Sequence, residues 1–227
     1  EPFSYIKTIR ENFVDGIVLS GPRQDDPEIL RLHEEGFPVM LMGQLPETDI
    51  PFVDVDASAG AEAATNHLLE RDRKRVAMIT NAPLTFTSAR QRRDGYLRAL
   101  KAAGVKFDPA LLKEGNYTPE SGYQAMMELL GNGSRPDAVF VASDVVAKGA
   151  MLAAKRSGLR IPQDLAMVGF DDIPLAEYFE PPLTTMHLPA YSLGWAVGER
   201  LIRLVQSEGL DDRGVLMQSQ LIVRESS

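Results

Sequence analysis

The sequence contains no cysteine. Disulfide staples, thiol catalysis and thiolate metal sites are therefore excluded, and a reducing compartment is permitted. Long apolar runs are also missing, and none approaches the ~20 residues that a membrane-spanning helix needs. Positive charge is in deficit: 24 Lys and Arg stand against 32 Asp and Glu, for a formal net charge of -8. A chain of that sign does not attract phosphate backbones, so these residues are not expected to form a general nucleic-acid surface. The one basic cluster, Arg71-Asp72-Arg73-Lys74-Arg75, falls between a helix and a strand and reads as a solvated loop with helix-end cations. From Glu1 onward the residues are acidic and polar where a secretory leader would be basic and then apolar, so no leader is expected there.

Several motifs fail at defining positions. Asp54-Val55-Asp56-Ala57-Ser58 opens like a calcium loop, but the required glycine is Ala59 and the bidentate glutamate is Thr65. No glycine-rich phosphate loop, dinucleotide fingerprint or Gly-x-Ser-x-Gly elbow occurs. His33, His67 and His187 lack metal-ligand spacing, so neither metal nor cofactor is expected. Asn116-Tyr117-Thr118 and Asn132-Gly133-Ser134 match the glycosylation sequon, which matters only for a secreted chain. Asp171-Asp172 is a paired carboxylate with no visible nucleophile or base beside it, so an enzyme is not expected.

What is present is an ordinary globular composition, 44% apolar and 25% charged, long enough for one large domain or two small lobes. Short apolar runs alternate with helical patterns. Strands are expected at 16–20, 39–42, 52–55, 76–80, 138–142 and 166–170, and short β segments near 215–217 and 220–223. Helices are expected at 27–35, 58–70, 88–103, 119–130, 144–157 and 189–206, several stopped by a glycine. This order predicts an α/β fold of mostly parallel sheets with helices on both faces. Ligands in such folds sit at the carboxyl ends of strands. That directs attention to Ser20, Gly43, Asp56, Asn81 to Arg90, Ser143-Asp144 and Asp171-Asp172.

Three segments together resemble the lactose-repressor (LacI/GalR) family of transcriptional regulators. They are Pro136-Asp137-Ala138-Val139-Phe140-Val141-Ala142-Ser143-Asp144 with Gly149-Ala150; Gly158-Leu159-Arg160-Ile161-Pro162 through Val168-Gly169-Phe170-Asp171-Asp172-Ile173; and Pro181-Pro182-Leu183-Thr184-Thr185 with Leu193-Gly194. Val14-Asp15-Gly16-Ile17-Val18-Leu19, Phe37-Pro38-Val39 and Ser88-Ala89-Arg90 with Gly95-Tyr96 agree. Each piece is weak alone, and their order and spacing make the resemblance specific.

The resemblance implies a two-lobed, periplasmic-binding-protein-like fold with a small-molecule effector, carbohydrate before a nucleobase or sugar phosphate, held between the lobes. It implies a first lobe of 1–55 plus 190–215 and a second of 56–188 plus 217–227, with crossings near Val55–Asp56, Leu188–Ala190 and Val215–Gln218. It also implies a cytoplasmic homodimer, with Val145 to Met151 either facing the partner or buried in its own lobe. The family carries a helix-turn-helix domain, a hinge helix and an initial strand–helix–strand, none of which precedes Phe3. Operator binding is expected only through such a segment, and the first lobe is expected to show an open sheet edge.

By the same resemblance, Arg90 reaches the effector from a helix N-terminus, unless it is a surface arginine. Asp171 is the effector-binding carboxylate, or a turn or capping residue. Tyr117 packs over the effector or forms a rim. Ser143 stands where many relatives have Asn, and Phe86 forms a pocket wall or packs its own loop. Asp144 and Asp172 are read as caps. A transport-associated periplasmic sugar-binding protein shares the fold and is the alternative. A doubly wound enzyme is the other.

Overall fold

The computed structural model of the chain describes residues 5–131, 133 and 135–227. In chain order its elements are α1 (Tyr5–Asn12), β1 (Ile17–Ser20), α2 (Pro27–Glu34), β2 (Val39–Met42), β3 (Phe52–Val55), α3 (Ala57–Leu69), β4 (Val76–Ile79) and α4 (Thr87–Ala102). There follow β5 (Leu112–Lys113), α5 (Pro119–Gly131), β6 (Ala138–Val141), α6 (Asp144–Arg156), β7 (Ala166–Asp171), β8 (Thr184–His187), α7 (Ala190–Val205), β9 (Gly214–Met217) and β10 (Gln220–Ile222). The chain divides into two compact units. The first takes the described residues through Val55, Thr85–Ser88 and Pro189–Met217; the second takes Asp56–Leu84, Ala89–Leu188 and Gln218–Ser227. Asn132 and Ser134 of the second sequon lie outside the described residues, as does Phe3.

The first unit is built on four parallel strands in the order β1-β2-β3-β9. Helix α2 starts where Asp26 accepts a hydrogen bond from Ile29 N at 3.3 Å and Pro27 presets the first turn. Ile29 and Leu32 of this helix join Leu19, Val39, Leu41, Leu45 and Ile50 in one apolar cluster, against which Tyr5, Ile6 and Ile9 of α1 also pack. Helix α7 lies along β1, β2 and β3 and buries Leu193 and Val197. Among the described residues β1 is an edge strand, and its Val18 is exposed.

The second unit is built on six strands in the order β10-β8-β7-β6-β4-β5. All pairings are parallel except that of β10 with β8. Every residue of β4 and β6 is buried, as required of strands covered on both faces. Helices α5 and α6 cover one face through Met126, Leu129, Val146, Ala147, Ala150 and Ala154. Their backbones touch: a Cβ at Gly149 would stand 1.7 Å from Pro119 O, and one at Gly122 would stand 2.0 Å from Val146 O. Glycine is needed at both positions for this close approach.

Several details differ from the sequence reading. Helix α1 and strands β5 and β8 were not anticipated. As the expected spans 39–42 and 52–55 already imply, no helix separates β2 from β3. The basic cluster is partly structural: Arg73 donates to the carbonyl of Pro162 at 2.7 Å, and the Asp137 carboxylate accepts from the backbone N–H groups of Lys74 and Arg75. No described helix is long and apolar enough to cross a membrane.

Candidate functional site

The second unit brings four groups together at the carboxyl ends of its central strands. Strand β7 ends in Asp171, strand β6 runs into Ala142 and Ser143, and helix α4 supplies Arg92. The Arg92 guanidinium donates Nη1 to the carbonyl of Ala142 and Nη2 to Asp171 Oδ1 at 3.4 Å, with its centre 3.9 Å from the centroid of the Phe170 ring. The ion pair is longer than the ~2.8 Å of a tight charge-assisted bond. Among the described residues, Arg92 Nε has no acceptor. The Ser143 hydroxyl also bonds the Asp171 carboxylate. Burial raises the pKa of Asp171, and Arg92 and Ser143 oppose that rise.

Beneath this pair lies Asp144, which is fully buried. Its Oδ1 accepts from the Thr185 hydroxyl at 2.6 Å and its Oδ2 from Ile173 N at 3.0 Å. Burial pushes its pKa up to about 7, with the neighbouring Asp171 charge adding to the rise. Asp144 therefore does not cap α6. The N-cap position is Ser143, whose hydroxyl is turned to Asp171 and makes no cap bond. Asp172 is no cap either: Oδ1 pairs with Arg224 Nη2 at 2.7 Å and Oδ2 with His187 Nδ1 at 2.9 Å. The two adjacent carboxylates thus engage separate partner sets.

Ser143 and Asp171 are brought together by the structure. Arg90 is not among the groups at Asp171: it is exposed and its Nε donates to the Leu84 carbonyl at 2.6 Å. Arg92 occupies that place, two residues beyond the window Asn81 to Arg90. The signal for it was in the helix periodicity. Ala89, Arg92, Tyr96 and Ala99 form one buried stripe, and Arg90 and Asp94 lie off it. Tyr117 follows β5 in the second unit with φ +57, its N–H bonded to Asn81 O at 2.8 Å and its side chain 46% exposed. Phe86 belongs to the first unit, where it bridges Arg23 and receives that guanidinium 5.1 Å from its ring centroid. Ser20, Gly21, Asp26 and Phe86 border a depression of about 480 Å³ there. The histidines pair with Asp49, Ser227 and Asp172 respectively. Among the described residues no three His, Asp or Glu side chains converge as a metal site.

A family model described as "periplasmic binding protein-like domain" matches residues 65–227. The chain is 36% identical over 216 residues to the HTH-type transcriptional regulator CelR of Thermobifida fusca, covering 94% of this chain and 63% of that protein. It thus spans a little under two thirds of that relative's length. A solved transcriptional regulator CelR–cellobiose complex superimposes with a TM-score of 0.91 at 35% identity, covering 97% of this chain and 68% of the other. A regulatory protein of the LacI family from Chloroflexus aggregans gives a TM-score of 0.87 at 34% identity, covering 98% and 80%. These relatives are regulators by name, not enzymes or transport proteins. The chain belongs to the periplasmic binding protein-like domain family, in its LacI-type branch.

Proposed function

We propose that this chain is the effector-sensing part of a LacI-type transcriptional regulator, and that its effector is a neutral saccharide. The observation that carries the reading is the loosely joined Arg92–Asp171 pair at the carboxyl ends of β6 and β7. A guanidinium offers a planar fork of donors and an ionised carboxylate accepts, and together they match adjacent hydroxyls. Ser143 adds a short hydroxyl, and Tyr117 offers an aromatic face of the kind that suits the C–H face of a sugar ring. Arg90 serves the loop before α4 rather than the ligand, and Phe86 is assigned to its own loop, packed against Arg23. The CelR–cellobiose complex supports a saccharide as the first ligand to try. One cation in the set disfavours ligands with several phosphates. Operator binding belongs to a segment outside these residues, and its coupling to the effector is reciprocal.

A thermal-shift series with cellobiose, other mono- and disaccharides, sugar phosphates and nucleosides tests the reading. A saccharide is expected to raise Tm with increasing concentration, by RT ln(1 + [L]/Kd) in stability. Stabilisation by nucleosides alone would overturn the saccharide assignment.

We further infer a homodimer through the outer faces of α5 and α6. Val146, Ala147, Ala150 and Met151 are buried within their own unit, so the outward positions of α6 include Lys148, Leu152, Lys155 and Arg156. These border a groove of about 420 Å³ with Tyr123 and Met151. Both charge signs rim it, including Lys155 and Glu180 at 2.8 Å, which suits a self-complementary two-fold contact. Light scattering should show a dimer for the native chain and a monomer for Leu152→Glu with unchanged circular dichroism. An unchanged dimer in the variant would place the contact elsewhere.

A further inference from the structure

We propose that Asp172, gripped by Arg224 and His187, is a positioning residue that holds the Asp171 carboxylate in its ligand-binding orientation. The proposal rests on the reading of Asp171 as an effector ligand and adds the device that aims it.

The backbone shows why such a device is needed. Asp171 has φ +116 and Asp172 has φ +56, so two consecutive non-glycine residues occupy the left-handed half of conformational space. Such a backbone is strained for a residue with a side chain and persists only where its surroundings over-determine it. The surroundings here are specific. Arg224 Nη2 bonds Asp172 Oδ1 at 2.7 Å, its Nη1 bonds the Leu183 carbonyl at 2.8 Å, and its backbone N–H bonds Thr184 Oγ1 at 2.9 Å. The arginine is thus anchored at the start of β8 before it reaches Asp172. His187, which ends β8, takes the other carboxylate oxygen at 2.9 Å, and Leu188 N bonds the Asp171 carbonyl at 3.2 Å. Burial works to raise the pKa of Asp172, yet the Arg224 and His187 contacts leave it below the usual carboxylate range. None of these clamp contacts involves Arg92 or Ser143, the groups that meet Asp171 directly.

The clamp also has a place in the chain path. His187 stands two residues before the chain passes to the first unit at Pro189, and Arg224 lies beyond its return at Gln218.

The test uses the whole chain and needs no ligand at its first stage. Labelled side-chain resonances report the Arg92 Nε–H signal and the carboxyl titration of Asp171 in the native chain, Arg224→Lys, His187→Gln and Arg160→Ala. Lysine keeps the charge but cannot bridge Asp172 and Leu183 as the planar fork does. Arg224→Lys is expected to move both reporters clearly, His187→Gln to move them less in the same direction, and the surface control Arg160→Ala to leave them in place. Unmoved reporters in Arg224→Lys, with the Asp172 titration itself raised, would overturn the proposal. His187 is half exposed, so its variant is expected to fold even if the arginine variant does not. In a second stage, with cellobiose as first probe and then any saccharide found active on the native chain, Arg224→Lys should weaken binding roughly tenfold or more. A native chain that binds no saccharide fails the functional reading, while the ligand-free resonances still decide the clamp.

Discussion

Replacing Arg92 by Met is expected to abolish effector binding and to lower stability by about 3 kcal/mol or more. The guanidinium is nearly enclosed, with its side chain 9% exposed, and it faces Asp171, the Ala142 carbonyl and the Phe170 ring. Met restores much of the volume, so the loss is electrostatic. Asp171 is left part-buried without its cation and rises further in pKa, and the Ala142 carbonyl loses a donor. Pairing the change with Asp171→Asn removes the uncompensated carboxylate, so the double variant should recover part of the stability while still failing to bind. Urea unfolding of the four proteins in the cycle checks this. Strict additivity of the two single losses would show that the pair is not coupled.

The second large effect is a pH dependence that Asp144 imposes. Its pKa is raised from 3.8 to about 7 in the folded chain. The folded state thus holds a proton that the unfolded chain releases. The associated stability is complete below about pH 4 and is lost as pH climbs through about 7. A displacement of that size corresponds to roughly 4 kcal/mol in all, of which roughly 3 kcal/mol falls between pH 5 and pH 8. Asp144→Asn should erase this slope. The amide has the same shape, can accept from Ile173 N with its oxygen and donate to the Thr185 hydroxyl, and does not titrate. Urea midpoints for both proteins at pH 5 and pH 8 decide it, and parallel pH profiles would show that Asp144 is ionised throughout.

Much of the architecture was legible because it follows from burial on both faces. The runs at β4, β6 and β7 are nearly all apolar, and no other environment accommodates them. Strand β8 was missed because Thr184 and Thr185 look polar in sequence. Both are fully buried, their hydroxyls taken by Arg224 N and Asp144 respectively. Helix α1 is short, its first N–H groups at Tyr5 and Ile6 are taken by the distant Glu28 carboxylate, and its Tyr5, Ile6 and Ile9 find their apolar partners only in the folded first unit. The site was half legible. Asp171 and Ser143 stand directly after buried strands, where ligands are expected. Arg92 sits one turn inside a helix, so position after a strand does not point to it, whereas membership of the buried stripe does. Asp144 and Asp172 look like caps because short acidic residues beside helices usually are. Their actual partners, Thr185, Arg224 and His187, come from a strand and a terminal segment distant in sequence. The assignment of Thr85–Ser88 to the first unit likewise depends on contacts with Pro22 and Gln24 that local pattern does not encode.

The central claim is that Arg92 and Asp171 together recognise a saccharide. Calorimetric titration of the saccharide selected by thermal shift should be run on the native chain, Arg90→Ala, Arg92→Met and Asp171→Asn. The expected result is binding to the native chain and to Arg90→Ala with similar affinity, and no measurable heat with Arg92→Met or Asp171→Asn. Undiminished binding by both of the latter, each shown to be folded, would contradict the account and move the effector site elsewhere on the chain.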